Sequence, residues 1–378
     1  MKGKIKMEKY VKLAGTSTYL PGEPVKFDDI NNYLGNFTKA SNKIQKWTER
    51  IQPIMKEMIG VEYCHYAFNS KTRIFDDDNL TLAVKAAKLA LKEANIDAKD
   101  IDLLIYGGAY SIQLPPLSTR IQEALGIERC AEYHIHSNCT SIYKAVKLAH
   151  TFLKTGEHKR ALVVSSNVPS ACFIPEYYNQ EIITKNDIFL RWYLCDGAGA
   201  FVMTAEDEKK DGFYIENTYV ESAGGLKKSA MYNEYTYHYN NPLVDFENGA
   251  HHLKQIYMNE MGDTAIEENG KTIFYNALKR MIDIQKLDLS KMKTFVINMP
   301  SRAVRKLVME ECTDIEYFDV DKFYSPIDDI GYTGPPAALI GIDVLLKSKT
   351  FKDGDLIMSF VMEVSKFMQA GFTIRCVK

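Results

Sequence analysis

The chain has 378 residues, 46% of them hydrophobic and 25% charged, with a net charge of −2. This is the profile of a soluble globular protein with room for one large core or two fused units. The charge gives no reason to expect nucleic acid or an anionic membrane as partner, and no apolar run approaches the roughly 20 residues of a membrane span.

The basic N-terminus, Met-Lys-Gly-Lys-Ile-Lys, is not followed by the apolar stretch of a signal peptide. Seven cysteines (Cys64, Cys130, Cys139, Cys172, Cys195, Cys312 and Cys376) are scattered without a CxxC pair. That predicts reduced thiols in a cytoplasm, not a disulfide framework or a zinc ribbon.

In chain order, an amphipathic pattern predicts a helix from Leu80 to Ala94, leading to an apolar strand at 103–107. An extended segment, Cys130 to His136, turns into a second helix from Thr140 to Leu153, followed by strands at 161–165 and 198–203. The order then recurs: helix Thr272 to Gln285, strand Thr294 to Asn298, helix Thr333 to Leu346, and strands at 356–360 and 371–375. Apolar strands alternating with period-3.6 helices predict an α/β protein with buried sheets. The recurrence predicts two pseudo-twofold-related halves, residues 1–209 and 210–378, joined through the charged turn Glu206 to Gly212. Cys139 then corresponds to the Tyr332–Thr333 region, both at helix N-termini facing the pseudo-axis. Tyr178 to Arg191 and Gly212 to Gly262 lack a clear period; the second, rich in Tyr, Asn and His, reads either as a loop walling a pocket or as a surface excursion.

Cys139 is the leading candidate for chemistry. A thiol at a helix N-terminus faces free backbone N–H groups and the positive end of the dipole, both of which favour thiolate. His134 and His136 precede it, but a strand puts both on one face while Cys139 lies past the turn, so no metal site is expected. His251 and His252 fall in the irregular stretch and read as loop surface. The glycines after Cys195-Asp196 read as a tight strand entry that lets the halves pack closely.

Five stretches in this order resemble the thiolase superfamily, and within it the ketoacyl-ACP synthase III-like enzymes. They are Ile59-Gly-Val-Glu, the helix and strand between Ala83 and Ile105, Ser137-Asn-Cys139, Cys195-Asp-Gly-Ala-Gly-Ala-Phe-Val, and Asp328-Asp-Ile-Gly-Tyr-Thr-Gly. The resemblance implies a five-layer α-β-α-β-α fold and acyl transfer through a thioester on Cys139, with no cofactor. The donor would be an acyl-carrier-protein or CoA thioester. Leu114-Pro-Pro-Leu117 resembles the loop that closes a neighbour's acyl pocket across a twofold interface, which implies a homodimer with Leu114 at that pocket.

The sequence departs from the family where the partner groups belong. Asn298 stands in place of histidine and Tyr332 in place of asparagine, and the glycine-rich loop reads Val361-Met-Glu-Val-Ser365. Asn298 can donate to a thioester carbonyl or an oxyanion but cannot take a proton. Tyr332 can donate a hydrogen bond, or exchange a proton if its pKa is lowered. Ser365 and Glu363 are candidates on the oxyanion or acceptor side. A strand-end glutamate is ordinarily exposed, which predicts Glu363 facing solvent; turned inward, it would be a candidate base. The Trp–Arg adenine grip of CoA-using members is not matched, since Trp47 lies too far upstream, so a carrier-protein donor is favoured. Arg302, Arg305 and Lys306 are either its docking surface or an ordinary solvated face. The reading is an acyltransferase. The alternatives are a carbon–carbon condensing synthase with an unusual base and a non-catalytic subunit of a heteromeric synthase.

Overall fold

A computed structural model describes residues 8–109, 113–177, 183–232, 242–247, 254–255 and 265–378. The pair His251–His252 and most of the Tyr- and Asn-rich stretch lie outside them. Ten strands form the main sheet: β1 (Tyr10–Tyr19), β2 (Leu103–Gly108), β3 (Ala131–His136), β4 (Arg160–Asn167), β5 (Gly197–Glu206), β6 (Gly212–Ser222), β7 (Met292–Asn298), β8 (Phe323–Tyr324), β9 (Leu356–Glu363) and β10 (Met368–Val377). Their spatial order is β8-β7-β9-β10-β6-β1-β5-β4-β2-β3. Strands from residues 10–206 and from 212–377 fall on opposite sides of the β1–β6 seam, which pairs only Val11 to Leu13 with Ile215 to Phe213.

Each side has the same arrangement. β2 is parallel to β3 and β4, as β7 is to β8 and β9, and the remaining pairs are antiparallel. Buried parallel strands need apolar side chains on both faces, and β2 is buried along its whole length.

The helices complete the layers. α1 (Asn42–Ile59) lies outside the repeated pattern; α2 (Asn79–Ala94) and α3 (Leu117–Leu125) cover one outer face, with α2 started by an Asp78–Thr81 capping box. α4 (Ser141–Thr155) and α7 (Ala337–Ser348) form the central layer, and their apolar residues join strands of both sides in one core. α5 (Ile273–Gln285) and α6 (Arg302–Cys312) cover the other outer face. The five-layer α/β architecture expected from the sequence is the one found. No helix of the described residues is long and apolar enough to cross a membrane.

Two differences from the sequence reading concern strands. Gly212–Ser222, assigned to the irregular stretch, is the long strand β6, which pairs with β10 along its length. β1 was not recognised either. It needs Gly15, where a Cβ would lie 2.4 Å from the Ala90 carbonyl oxygen on α2. The glycines after Cys195-Asp196 do allow the two sides to close: a Cβ at Gly197 would meet the Thr333 methyl at 2.7 Å, and one at Gly199 the Leu339 Cβ at 2.8 Å.

Candidate active site

Cys139 sits on the turn between β3 and α4, two residues before the first helical position, and is buried. The turn is tied to its surroundings by Ser137 N–H donating to Gly108 O (3.2 Å) and Ser141 N–H to Asn138 O (2.9 Å). The thiol meets the Tyr332 hydroxyl at 2.8 Å. Tyr332 comes from the other side of the molecule, on the loop that enters α7. Gly331 makes that loop possible: its φ is +77°, and a Cβ there would fall 2.5 Å from Cys195 Sγ. α7 itself begins at Ala337, not Thr333, because Gly334 also has a positive φ and Pro335-Pro336 follow.

The helix N-terminus does not make a thiolate. Burial pushes the Cys139 thiol up to about 12, the Glu363 carboxylate adds to the shift, and the Tyr332 hydrogen bond only partly opposes it. The amide that a helix N-terminus would offer the sulfur, Thr140 N–H, donates to Glu363 instead. Tyr332 is itself shifted well above the ordinary phenol range, by burial first and then by Cys139. It is therefore a neutral hydroxyl, not a phenolate, contrary to a lowered-pKa role.

Glu363 is the second correction: it is 1% exposed and does not face solvent. Met362 and Val364 line the cavity beside Cys139, and strand alternation turns Glu363 the other way, under the nucleophile turn. There it accepts from Thr140 N–H (2.9 Å), Thr140 Oγ1 (2.6 Å), Ser137 Oγ (3.0 Å) and Ser365 Oγ. The Ser365 hydroxyl is thus taken by the carboxylate.

Asn298 ends β7, opposite Val361 of β9, and is 3% exposed. Neither Nδ2 nor Oδ1 makes a hydrogen bond of good geometry, although the amide lies close enough to the Tyr143 hydroxyl to oppose part of that group's upward shift. A buried amide without partners costs on the order of 1–3 kcal/mol, a cost recovered when a ligand supplies the missing bond. Nearby, the Tyr143 hydroxyl of α4 meets Ser359 Oγ of β9 at 2.9 Å.

A cavity of about 390 Å³ opens onto Cys139, Asn138 and Tyr332. Its walls are mainly apolar, formed by Leu190, Leu194, Phe274, Met299 and the Val304, Leu307 and Val308 face of α6. No charged residue lines it among the described residues. Leu114 is 94% exposed and is not part of this wall within its own chain.

Trp47 stacks on Phe189 at 6.4 Å, inside an aromatic cluster with Trp192. Of the basic trio, Arg305 is buried, and both Arg305 and Arg302 pair with Asp328, leaving Lys306 exposed. No group of three or more metal-ligating side chains occurs among the described residues; the His134 ring packs edge-on against Tyr106.

Sequence reasoning missed Ser137, Thr140 and Lys144, which build the polar floor under the thiol. The two small hydroxyl residues flanking Cys139 were the available signal. Nothing in the spacing shows that Glu363 would reach them from 223 positions away.

With this geometry in hand, comparison with known proteins gives a consistent result. Residues 133–224 match the family model of 3-oxoacyl-[acyl-carrier-protein] synthase III. The chain is 25% identical over 357 residues to the β-ketoacyl-[acyl-carrier-protein] synthase III of Neisseria gonorrhoeae, covering 91% of this chain and 93% of that protein. Among solved structures, FabH of Xanthomonas oryzae pv. oryzae superposes with a TM-score of 0.76 at 16% identity, covering 98% of this chain and 99% of that one. A variant of Xanthomonas campestris OleA with bound lauric acid and lauroyl-CoA does so at 0.74 and 18%, covering 98% and 100%.

Proposed function

We propose that this chain, which is similar to β-ketoacyl-[acyl-carrier-protein] synthase III proteins along most of its length, is an acyltransferase whose intermediate is a thioester on Cys139. The observation that carries this reading is the thiol of Cys139, held 2.8 Å from the Tyr332 hydroxyl in the lining of an apolar cavity of about 390 Å³. Residues 1–209 supply the nucleophile, and residues 210–378 supply Asn298, Tyr332 and Glu363.

In the first half-reaction, Cys139 Sγ attacks the carbonyl carbon of an acyl-carrier-protein or CoA thioester. A new C–S bond forms and the donor's C–S bond breaks. The thiol proton passes to the Tyr332 oxygen as the Tyr332 proton goes to the departing thiolate, so no free phenolate or cysteine thiolate need accumulate. The Asn298 amide, which makes no well-formed hydrogen bond within the chain, donates to the carbonyl oxygen as charge develops there. In the second half-reaction an acceptor takes the acyl group and Cys139 regains a proton.

An aliphatic acyl group fits the wall of leucine, valine, methionine and phenylalanine. The bound lauric acid and lauroyl-CoA of the similar OleA structure support that choice. A homodimer belongs to the same reading, since the fully projecting Leu114 is an apolar side chain suited to being covered by a second copy.

Carbon–carbon condensation is the second reading, favoured by the synthase III relatives that the chain matches. Asn298 speaks against the decarboxylative form of it, because an amide cannot do the acid–base work of an imidazole.

Intact-protein mass spectrometry after incubation with acyl-CoA and acyl-carrier thioesters is the test, with Cys139→Ala as control. One added acyl group, absent from the variant, is expected. No adduct from any donor would overturn the enzyme reading in favour of a non-catalytic subunit. Carbon dioxide released from a malonyl thioester would move the assignment to condensation.

A further inference from the structure

The charged groups that face the nucleophile turn are Glu363, from the end of β9, and Lys144, from the first turn of α4. Lys144 Nζ donates to Ser137 Oγ at 3.0 Å and lies 3.5 Å from Met368 Sδ. Ser137 Oγ in turn donates to Glu363 Oε2 at 3.0 Å. The serine hydroxyl thus accepts from the cation and gives its proton to the carboxylate, so the three groups form one directed chain beside Cys139.

The two ends carry opposite charges: the carboxylate raises the thiol's pKa, and the cation, held on Ser137, offsets the carboxylate. Glu363 takes the Thr140 amide, places negative charge beside the thiol and neutralises the positive end of α4. Lys144 puts a half-buried positive charge on the far side of Ser137; burial pulls its own pKa down and Glu363 holds it up. Among the described residues, the other titratable neighbours carry no charge. Tyr332, on the loop before α7, and Tyr143, on α4, are both held neutral by burial.

We propose that Glu363 and Lys144 are an opposed pair of positioning residues that set the proton affinity of Cys139, Glu363 holding it as a thiol before a thioester binds and Lys144 limiting that hold. The thiol proton then leaves only when a bound thioester engages Tyr332. Glu363 is not the acceptor's base: it faces away from the cavity, and Oε2 already accepts three hydrogen bonds. The pair rests on the reading of Cys139 as the acyl carrier for its purpose, but not for its measurement.

The experiment is the rate of Cys139 alkylation by iodoacetamide against pH, followed on the full chain by peptide mass mapping. The wild-type rate is expected to rise about tenfold per pH unit from pH 7 to 10 without a plateau. Glu363→Gln keeps a carbonyl for the Thr140 amide and removes the charge, and should raise the rate at pH 8 by about tenfold or more. Lys144→Met removes the opposing charge and should lower it several-fold. Opposite signs separate an electrostatic role from a structural one, since a loosened turn would expose the thiol and speed both variants. Rates unchanged in both variants, or raised in both, would overturn the proposal. If Glu363→Gln does not fold, a Lys144→Met rate equal to or above wild type overturns it alone. Failure of every thioester to label wild-type Cys139 would defeat the acyltransfer reading, while the alkylation profile would still decide the pair.

Discussion

The Cys195 amide donates to the Tyr332 carbonyl at 2.9 Å, while the hydroxyl of the same tyrosine meets Cys139 at 2.8 Å. The entry to β5 on one side of the molecule thus fixes a loop from the other side, and that loop positions the hydroxyl on the nucleophile. Gly331 is the hinge of this arrangement. Its left-handed backbone and the 2.5 Å approach a Cβ would make to Cys195 Sγ leave no room for a side chain. Gly331→Ala should displace Tyr332 from Cys139 and cost roughly 1–3 kcal/mol of folding stability. Acyl-enzyme formation should fall along with the melting temperature. Wild-type acylation in a correctly folded Gly331→Ala protein would show that the tyrosine does not depend on this loop.

Asn298 makes a separate prediction. Both polar atoms of its amide are buried without a well-formed hydrogen bond, the Tyr143 hydroxyl being only a weak partner. If the amide donates to the thioester oxygen as the tetrahedral centre forms, Asn298→Ala should slow acylation by about 10²–10³-fold, the range for loss of one oxyanion donor. Folding stability should hold or improve, because an unsatisfied buried amide is removed. Thioester-dependent labelling of Cys139, timed by quench and mass spectrometry, measures the first effect, and denaturant unfolding the second. Loss of stability without loss of rate would assign Asn298 to the fold.

The cavity wall predicts chain-length selectivity. Val304 and Leu307 lie on the α6 face that borders the cavity, and Leu307 is 58% exposed. Val304→Trp would fill part of the space, so long aliphatic donors should lose more than short ones. With roughly 0.8 kcal/mol per buried methylene, exclusion of three methylenes corresponds to about a 50-fold loss in kcat/KM. Acylation rates across a series of donor lengths check this. A uniform loss at every length would place the acyl chain elsewhere.

Much of the architecture was legible because it depends on local pattern. The recurring helix–strand order around 80–107 and 272–298 follows from hydrophobic periodicity alone, and the structure forms those elements with ends moved by one or two residues. β1 and β6 were not legible: their alternation is broken by Gly, Thr, Asn and Glu, and what makes them strands is pairing with β5 and β10. The same limit applies at the site. Cys139 stands out because a helix start is readable, whereas the orientation of Glu363 depends on α4 and β9 meeting in space. The environment of the thiol reversed the expected sign, since a dipole worth at most about 2 kcal/mol cannot offset full burial beside a carboxylate.

His150, on the same helix as Cys139, gives a stability prediction with a defined sign. It is 7% exposed, and burial together with Lys154 pulls its pKa down from 6.5 to about 4. In the unfolded chain it titrates near 6.5, so between about pH 6.5 and 4 the unfolded state holds a proton that the folded state lacks. Stability is therefore complete above the unfolded pKa and falls as the pH drops through that window, by at most about 3 kcal/mol. His150→Gln removes the titration and should flatten this part of the acid limb, whatever its constant effect on stability at neutral pH. Unfolding free energies from denaturant titrations at pH 7, 6, 5 and 4.5 provide the measurement. An acid limb of the same slope in wild type and His150→Gln would show that other groups carry the pH dependence and that His150 takes up a proton in the fold as readily as in the unfolded chain.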